Sequence, residues 1–361
     1  MFGSQTGVPE MTLTTVNPAL LDTQAQYTGF KNRIINGAMV IDQRNAGASV
    51  TPTDTGGGTY VIDRFYARVT QASKLSYQRS TVAPEGFTNS LALTSLSAYS
   101  VTSSDHFAAI QAIEGFNVAD LGWGTANAKP ITFSFKVRSS LTGTFGGFVS
   151  NSDANRCYVF SYTINAANTF EDKTVTIFGD TSGTWFTNNG VGLYLSFSVG
   201  AGSSVTSTAG SWGSTFYRSV TGQASVVGTS GATFYITGVQ LEKGSTATSF
   251  DYRPYGTELQ LCQRYYQTTG GAGSAYPRIL QGAYTAGTYV GQSFPYIVSM
   301  RATPTGAIAG AWTNQNTTSG SNTINTSKDG FLLYTTAPSA TVIAGLYPTD
   351  ATGLITLTAE L

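Results

Sequence analysis

"ITFSFKVR" (Ile131–Arg138) decides the fold class. Ile131, Phe133, Phe135 and Val137 alternate with Thr132, Ser134, Lys136 and Arg138. A period of two places one set on each face of an extended strand, so one face meets a core and the other meets water. Val191, Leu193, Leu195, Phe197 and Val199 repeat the pattern, as do Phe160, Tyr162 and Ile164. The segments "TDTGGG" (Thr53–Gly58), "GSSVTSTAGSWGS" (Gly202–Ser214) and "GTSG" (Gly228–Gly231) read as loops. Many such strands without long helical runs predict an all-β chain built on an antiparallel jelly-roll sandwich. There is no fixed-period repeat, collagen triplet or heptad shaft.

One stretch departs from this pattern. Phe234–Leu241 reads as a strand, and the apolar parity shifts at Gly238, which predicts a bulge there. "RPYG" (Arg253–Gly256) then turns the chain. A short helix is predicted over Thr257–Gln267, with Thr257 as N-cap and Gln260 completing a capping box. Leu259, Cys262 and Tyr266 form its apolar stripe, widened by Leu261 and Tyr265. Beyond it, Phe294, Tyr296, Val298 and Met300 alternate, "FLLY" (Phe331–Tyr334) is apolar, and Ile355, Leu357 and Ala359 alternate again. The division predicted is an extended arm over 1–29, a jelly roll over 30–255, and a linker helix with a smaller C-terminal β-domain over 256–361. Leu361 is expected to finish a paired strand.

Of the 361 residues, 41% are hydrophobic, enough for a sizeable core. Charged residues are 11%, against roughly 25% in an average soluble domain. Lys plus Arg equals Asp plus Glu, at 19 each, so there is no basic field for nucleic acid or an anionic membrane. No apolar run approaches the ~20 residues of a membrane span, and the N-terminus lacks the basic start and apolar core of a secretion signal. Cys157 and Cys262 read as two buried thiols of a protein made in a reducing cytoplasm, with a disulfide between them left open. The arm carries Val8, Met11, Leu13, Val16, Leu20 and Leu21, too apolar for a merely solvated tail, and is expected to dock on a partner.

Several blocks carry a resemblance. "NRIINGAMVIDQRNAG" (Asn32–Gly47) with "YVIDRFYA" (Tyr60–Ala67) resembles the opening of a family of bacteriophage virion proteins, the tail fibre or receptor-binding proteins. "VQLEKGSTATSFDYRPYGTELQLCQRYYQ" (Val239–Gln267) resembles the closing strand and linker helix of that family, and "FPYIVSMRATPT" (Phe294–Thr305) with "LITLTAEL" (Leu354–Leu361) its C-terminal domain. The VQLE-type ending is also similar to carbohydrate-binding jelly-roll modules. The resemblance implies a virion protein assembled in the host cytoplasm, attached to tail or capsid through the N-terminal arm at Val8, Met11, Leu13, Leu20 and Leu21. It further implies recognition of a host-surface glycan. Lacking a shaft, the chain fits a compact spike or short fibre. A capsid decoration protein without receptor binding and a glycan-degrading tailspike are the alternatives.

Side-chain chemistry argues against an enzyme. His106 is the single histidine, with no nucleophile elbow near it. There is no P-loop, no CxxC spacing and no histidine-rich zinc motif, so no cofactor is expected. Asp54, Asp63, Glu114, Asp120, Asp153, Glu171 and Asp172 offer carboxylates, but sequence alone pairs no two of them at glycosidase spacing. Glu171–Asp172 reads as a turn or one corner of a calcium site. Aromatic residues are 12% of the chain, and their apolar faces with one polar group suit sugar rings. Trp185 and Trp212 in the first domain, and Tyr276 and Trp312 in the second, are the predicted glycan contacts, alongside a plugging role at the sandwich ends. Exposed strand edges and the Leu259, Cys262 and Tyr266 stripe predict self-association as a homotrimer.

Overall fold

The structure, a computed structural model, describes residues 31–270, 279–285, 287–317, 322–336, 342–348 and 353–361. The arm residues Val8, Met11, Leu13, Leu20 and Leu21, and Tyr276, lie outside the described residues.

Along the first unit the strands are β1 (Thr59–Ile62), β2 (Phe65–Val69), β3 (Leu75–Ser80), β4 (Ser90–Ser95) and β5 (His106–Glu114). They continue as β6 (Ile131–Ser139), β7 (Gly143–Ser150), β8 (Cys157–Ile164), β9 (Glu171–Ile177) and β10 (Val191–Ala201). The short β11 (Thr206–Ser207), β12 (Trp212–Gly213) and β13 (Ser219–Val220) precede β14 (Thr233–Lys243). A seven-stranded sheet of order β1-β2-β5-β10-β7-β8-β12 faces a five-stranded sheet of order β3-β4-β14-β6-β9. Every ladder of these two sheets is antiparallel, and the chain crosses between them after β2, β4, β5, β6, β8 and β9, which is a jelly-roll sandwich. The alternation in the sequence is honoured: Phe133, Phe135, Phe160, Leu195 and Phe197 all fill the core between the sheets. The predicted bulge is present. The ladder shifts between Thr237 and Gln240, and Gly238 has φ 60, where a Cβ would meet the Phe87 ring at 2.8 Å. Both cysteines are free and buried.

The helix α1 runs Tyr255–Gln263, two residues earlier than the capping box predicted and four shorter at its end. Pro254 occupies the N-cap position, and its carbonyl takes the Glu258 N–H at 3.0 Å. Its ring pre-sets the backbone, so Thr257 lies inside the helix and caps nothing. The helix stops because Tyr266–Gly270 pairs in register with Leu354–Thr358.

Tyr266 is 7% exposed and Cys262 is fully buried, in a cluster with Ile35, Ile41 and Tyr265 against which Leu259 packs. This corrects the predicted oligomer contact: the Leu259, Cys262 and Tyr266 stripe covers its own jelly roll, because the Asn32–Gly47 block folds back to meet it. Asn32 donates to Val239 and accepts from Leu241, while Arg253 donates to the carbonyls of Asn32 and Ile34.

The C-terminal unit contains three three-stranded antiparallel sheets. The first holds Tyr266–Gly270, Leu354–Thr358 and Thr305–Ala309. The second holds Leu280–Tyr284, Val342–Pro348 and Trp312–Gln315, and the third Tyr289–Pro295, Gly330–Thr336 and Thr323–Thr326. Two expectations fail here. The strand through Phe294 ends at Pro295, and Ile297 and Val298 instead bond the Gln267 amide. The last strand ends at Thr358, so Leu361 is unpaired and packs into the junction cluster.

The two units meet through buried charge. Glu114 accepts from Arg264 Nε and Nη2 at 2.9 and 2.5 Å and from the Tyr265 hydroxyl at 2.6 Å. Glu360 pairs with both Arg44 and Arg64, and Arg64 stacks on the Tyr265 ring at 3.5 Å.

Candidate functional site

The four tryptophans are placed first. Trp123, Trp185 and Trp212 stack edge-to-face on one another, with centroids 4.6 to 5.5 Å apart. Each indole N–H is spent inside the chain, on the carbonyls of Lys129, Ser182 and Phe178 respectively. All three pack against the sandwich core. A void of about 10 Å³ beside Trp123 and Trp185 is far too small for a sugar ring. Trp185 and Trp212 therefore plug one end of the sandwich. Trp185→Ala is expected to destabilise the fold by about 3 kcal/mol and leave glycan binding unchanged, which thermal unfolding and a binding titration check together. Trp312 lies in a strand instead of the loop suggested by its polar neighbours. It packs against the second core and donates to the Ala309 carbonyl at 2.8 Å.

Most of the candidate carboxylates are committed to structure, while Asp153 is exposed. Glu114 lies in the junction, and Asp63 accepts twice from Gln43 at 2.6 Å. Burial raises the Asp63 pKa, against the hydrogen bonds from Gln43 and the nearby Arg44. Asp120 meets Arg33 and Lys243. Asp172 pairs with Lys136. Glu171 binds Lys173 and the Asn165 side chain, and these bonds outweigh desolvation to bring it down to about 2. Among the described residues no three His, Cys, Asp or Glu side chains gather as metal ligands.

What the sandwich presents outward is a different set. Alternation sends Phe65, Ala67 and Val69 of β2 into the core and leaves Tyr66 and Arg68 on the other face of the seven-stranded sheet. Cross-strand register then aligns rows on that face. Tyr66 pairs with Ile110, Ile110 with Ser196, and Ser196 with Phe148. Arg68 pairs with Ala108, Ala108 with Ser198, and Ser198 with Gly146. Tyr194 sits between Ala112 and Ser150. The result is a face of Ala, Ser and Gly with Ile110 and Phe148 among them, which also carries Tyr66, Tyr194 and Arg68.

The chain itself covers part of this face. Val220 seats on Gly146, where a Cβ would come within 2.9 Å of it, and Gln223 donates to Ser198 at 2.9 Å. Phe216, Tyr217 and Val220 form with Phe148, Ala108, Ile110 and Tyr194 a second apolar cluster outside the sandwich core. Tyr66 and Tyr194 remain half-buried, and burial raises the pKa of both hydroxyls, which stay protonated. His106 opens β5 on the same face, 7% exposed. Neither of its ring nitrogens completes a well-formed hydrogen bond. Burial, then the charges of Arg218 and Arg68, bring its pKa down to about 4, so the imidazole is neutral near pH 7.

Sequence reasoning sought aromatics in loops and missed Tyr66 and Tyr194 on strands. The usable signal was the polar phase of the alternation: in "FYARV" and "LYLSFSV" the residues off the core face include Tyr, Arg and Ser.

The fold is an antiparallel jelly-roll sandwich joined by one described helix to a smaller β-unit. No family model matches the chain, and no curated protein does. Among solved structures, a bacteriophage CBA120 tailspike protein 4 domain is similar at 13% identity and a TM-score of 0.30 over 59% of this chain. The match spans only 21% of that tailspike chain. A family 11 carbohydrate-binding module from Clostridium thermocellum matches at 11% identity, TM-score 0.28, over 58% of this chain and all of its own. A tandem CBM22-1–CBM22-2 from Paenibacillus barcinonensis Xyn10C matches at 10% identity, TM-score 0.27, over 89% of this chain and 100% of that one. These likenesses are loose and carry no inference about what this chain binds.

Proposed function

We propose that the chain is a phage virion protein that recognises a host-surface glycan without cutting it. In this reading the glycan is held on the outer face of the seven-stranded sheet, and the arm over 1–29 attaches the protein to tail or capsid. The carrying observation is the half-buried pair Tyr66 and Tyr194 on that face, Tyr194 between Ala112 and Ser150 and Tyr66 in the row of Ile110, Ser196 and Phe148. Tyrosine offers a ring face to sugar C–H groups and a hydroxyl to sugar oxygens. The sequence resemblance supports the virion assignment. A homotrimer belongs to the same reading: Tyr289 and Ile297 of the C-terminal unit are 69% and 65% exposed, and self-association would cover them.

Tyr194→Ala tests the placement. A lost stacking contact is worth about 1 kcal/mol, so host-cell adsorption should weaken roughly fivefold per site with the unfolding midpoint nearly kept. Full adsorption by the Tyr66→Ala/Tyr194→Ala double variant would place the glycan elsewhere.

A further inference from the structure

The same outer face carries two arginines that stand outside any salt bridge. Arg68 donates through Nη1 to the carbonyls of Gly56 and Gly57 at 2.7 Å each, which fixes its guanidinium at the sheet edge. Arg218 arrives from the covering segment, its backbone N–H held by Val205 at 2.7 Å. Its guanidinium carbon lies 4.1 Å above the Phe216 ring and 5.9 Å from that of Phe148. Among the described residues neither arginine forms a salt bridge. Arg44, Arg64, Arg156 and Arg264 by contrast have carboxylate partners, whereas Arg301 bonds only carbonyls.

The two cations also lie within each other's field. Burial and then Arg68 lower the Arg218 pKa, so the fold holds like charges together at a cost. The carboxylate nearest Arg68 is Asp54, and that one accepts from the N–H groups of Gly56 and Gly57 in its own loop. His106 lies in the field of both guanidiniums, and neither of its ring nitrogens completes a well-formed hydrogen bond. Two half-buried guanidiniums outside any salt bridge and a buried imidazole on one face are an arrangement that a bound anion with hydroxyl groups would complement.

We propose that this face selects acidic sugars, with an oxyanion of the ligand held between Arg68 and Arg218 and a neighbouring hydroxyl bonded to His106. The inference rests on the glycan reading and names its substrate class. A carboxylate or a phosphate supplies the same oxyanion chemistry. Arginine forks bind either in two parallel bonds, and the platform of Phe216 keeps the Arg218 fork oriented. Two charges on one face suit one acidic residue of a polymer. They do not make the extended basic track that a nucleic acid backbone needs.

The test uses the full chain and titrates polygalacturonate against its carboxyl-reduced form, and phosphomannan against its dephosphorylated form. At least one acidic polymer should bind about tenfold or more tightly than its neutralised counterpart, with binding weakening as salt rises. Arg218→Gln should remove about tenfold from the acidic form and leave the neutral form unchanged. Arg68→Gln should do the same, and if it folds poorly, Arg218→Gln decides, because that side chain anchors no other element. Equal affinity for acidic and neutral forms, or an acid preference surviving in Arg218→Gln, would overturn the charge selection and leave the glycan reading standing. No binding to any of the four polymers would overturn both.

Discussion

Glu360→Ala is expected to destabilise the protein by about 3–5 kcal/mol, a large loss for a residue one position from Leu361. Glu360 is the shared counter-charge of Arg44 and Arg64, and the Arg64 and Glu360 side chains are 1% and 6% exposed. Arg64 has no route to water. One of its nitrogens bonds the Ala112 carbonyl at 2.6 Å, and its plane lies on the Tyr265 ring. Removing the carboxylate leaves that buried guanidinium uncompensated, which costs far more than the intact pair contributes. Glu360→Gln keeps an acceptor and should lose roughly half as much. Denaturant unfolding followed by tryptophan fluorescence, with limited proteolysis to report on the C-terminal unit, checks both. The three clustered tryptophans report on the first unit. A midpoint unchanged in Glu360→Ala would show that the junction does not hold the units together.

The second large effect depends on pH. His106 has a folded-state pKa of about 4 against an ordinary value of 6.5. Its folded pKa is depressed, so the unfolded chain takes up the proton first as pH falls. The stabilising contribution is therefore complete above pH 6.5, shrinks between 6.5 and 4, and levels off below. Across that window the loss amounts to about 3 kcal/mol at most. His106→Gln, which cannot titrate, should lack this slope. The comparison to make is the difference in unfolding free energy between the two proteins at a series of pH values. A difference that stays constant from pH 7 to pH 4 would mean that His106 is not held neutral by its surroundings.

Much of the architecture could be read from local chemistry. Alternation at Ile131–Val137, Val191–Val199 and Phe160–Ile164 identifies strands because a sheet with one face in a core needs that period and no other element does. The break at Gly238 reports the bulge, because an extra residue must reverse the parity of whatever follows it. A helix between two β-units was legible from Leu259, Cys262 and Tyr266, widened by Leu261 and Tyr265. Its limits were not, since they depend on Pro254 and on the pairing of Tyr266 with Thr358.

What the sequence by itself determined is which residues face a core, because burial of alternating apolar side chains is a local pattern with a large free energy behind it. Only the tertiary structure decided what the other faces do. Whether the stripe of α1 meets a second chain or its own jelly roll depends on where Asn32–Gly47 returns, more than 200 positions away in the chain, as the contact of Asn32 with Leu241 across 209 positions illustrates. Tyr66, Tyr194, Arg68, Arg218 and His106 come from four separate segments. Strand order β2-β5-β10-β7 and the covering segment over it bring them to one face. Each is unremarked in its own stretch, because the property they share is a place on one face of the sheet. Partners in a sheet are set by register across strands, which local sequence does not encode.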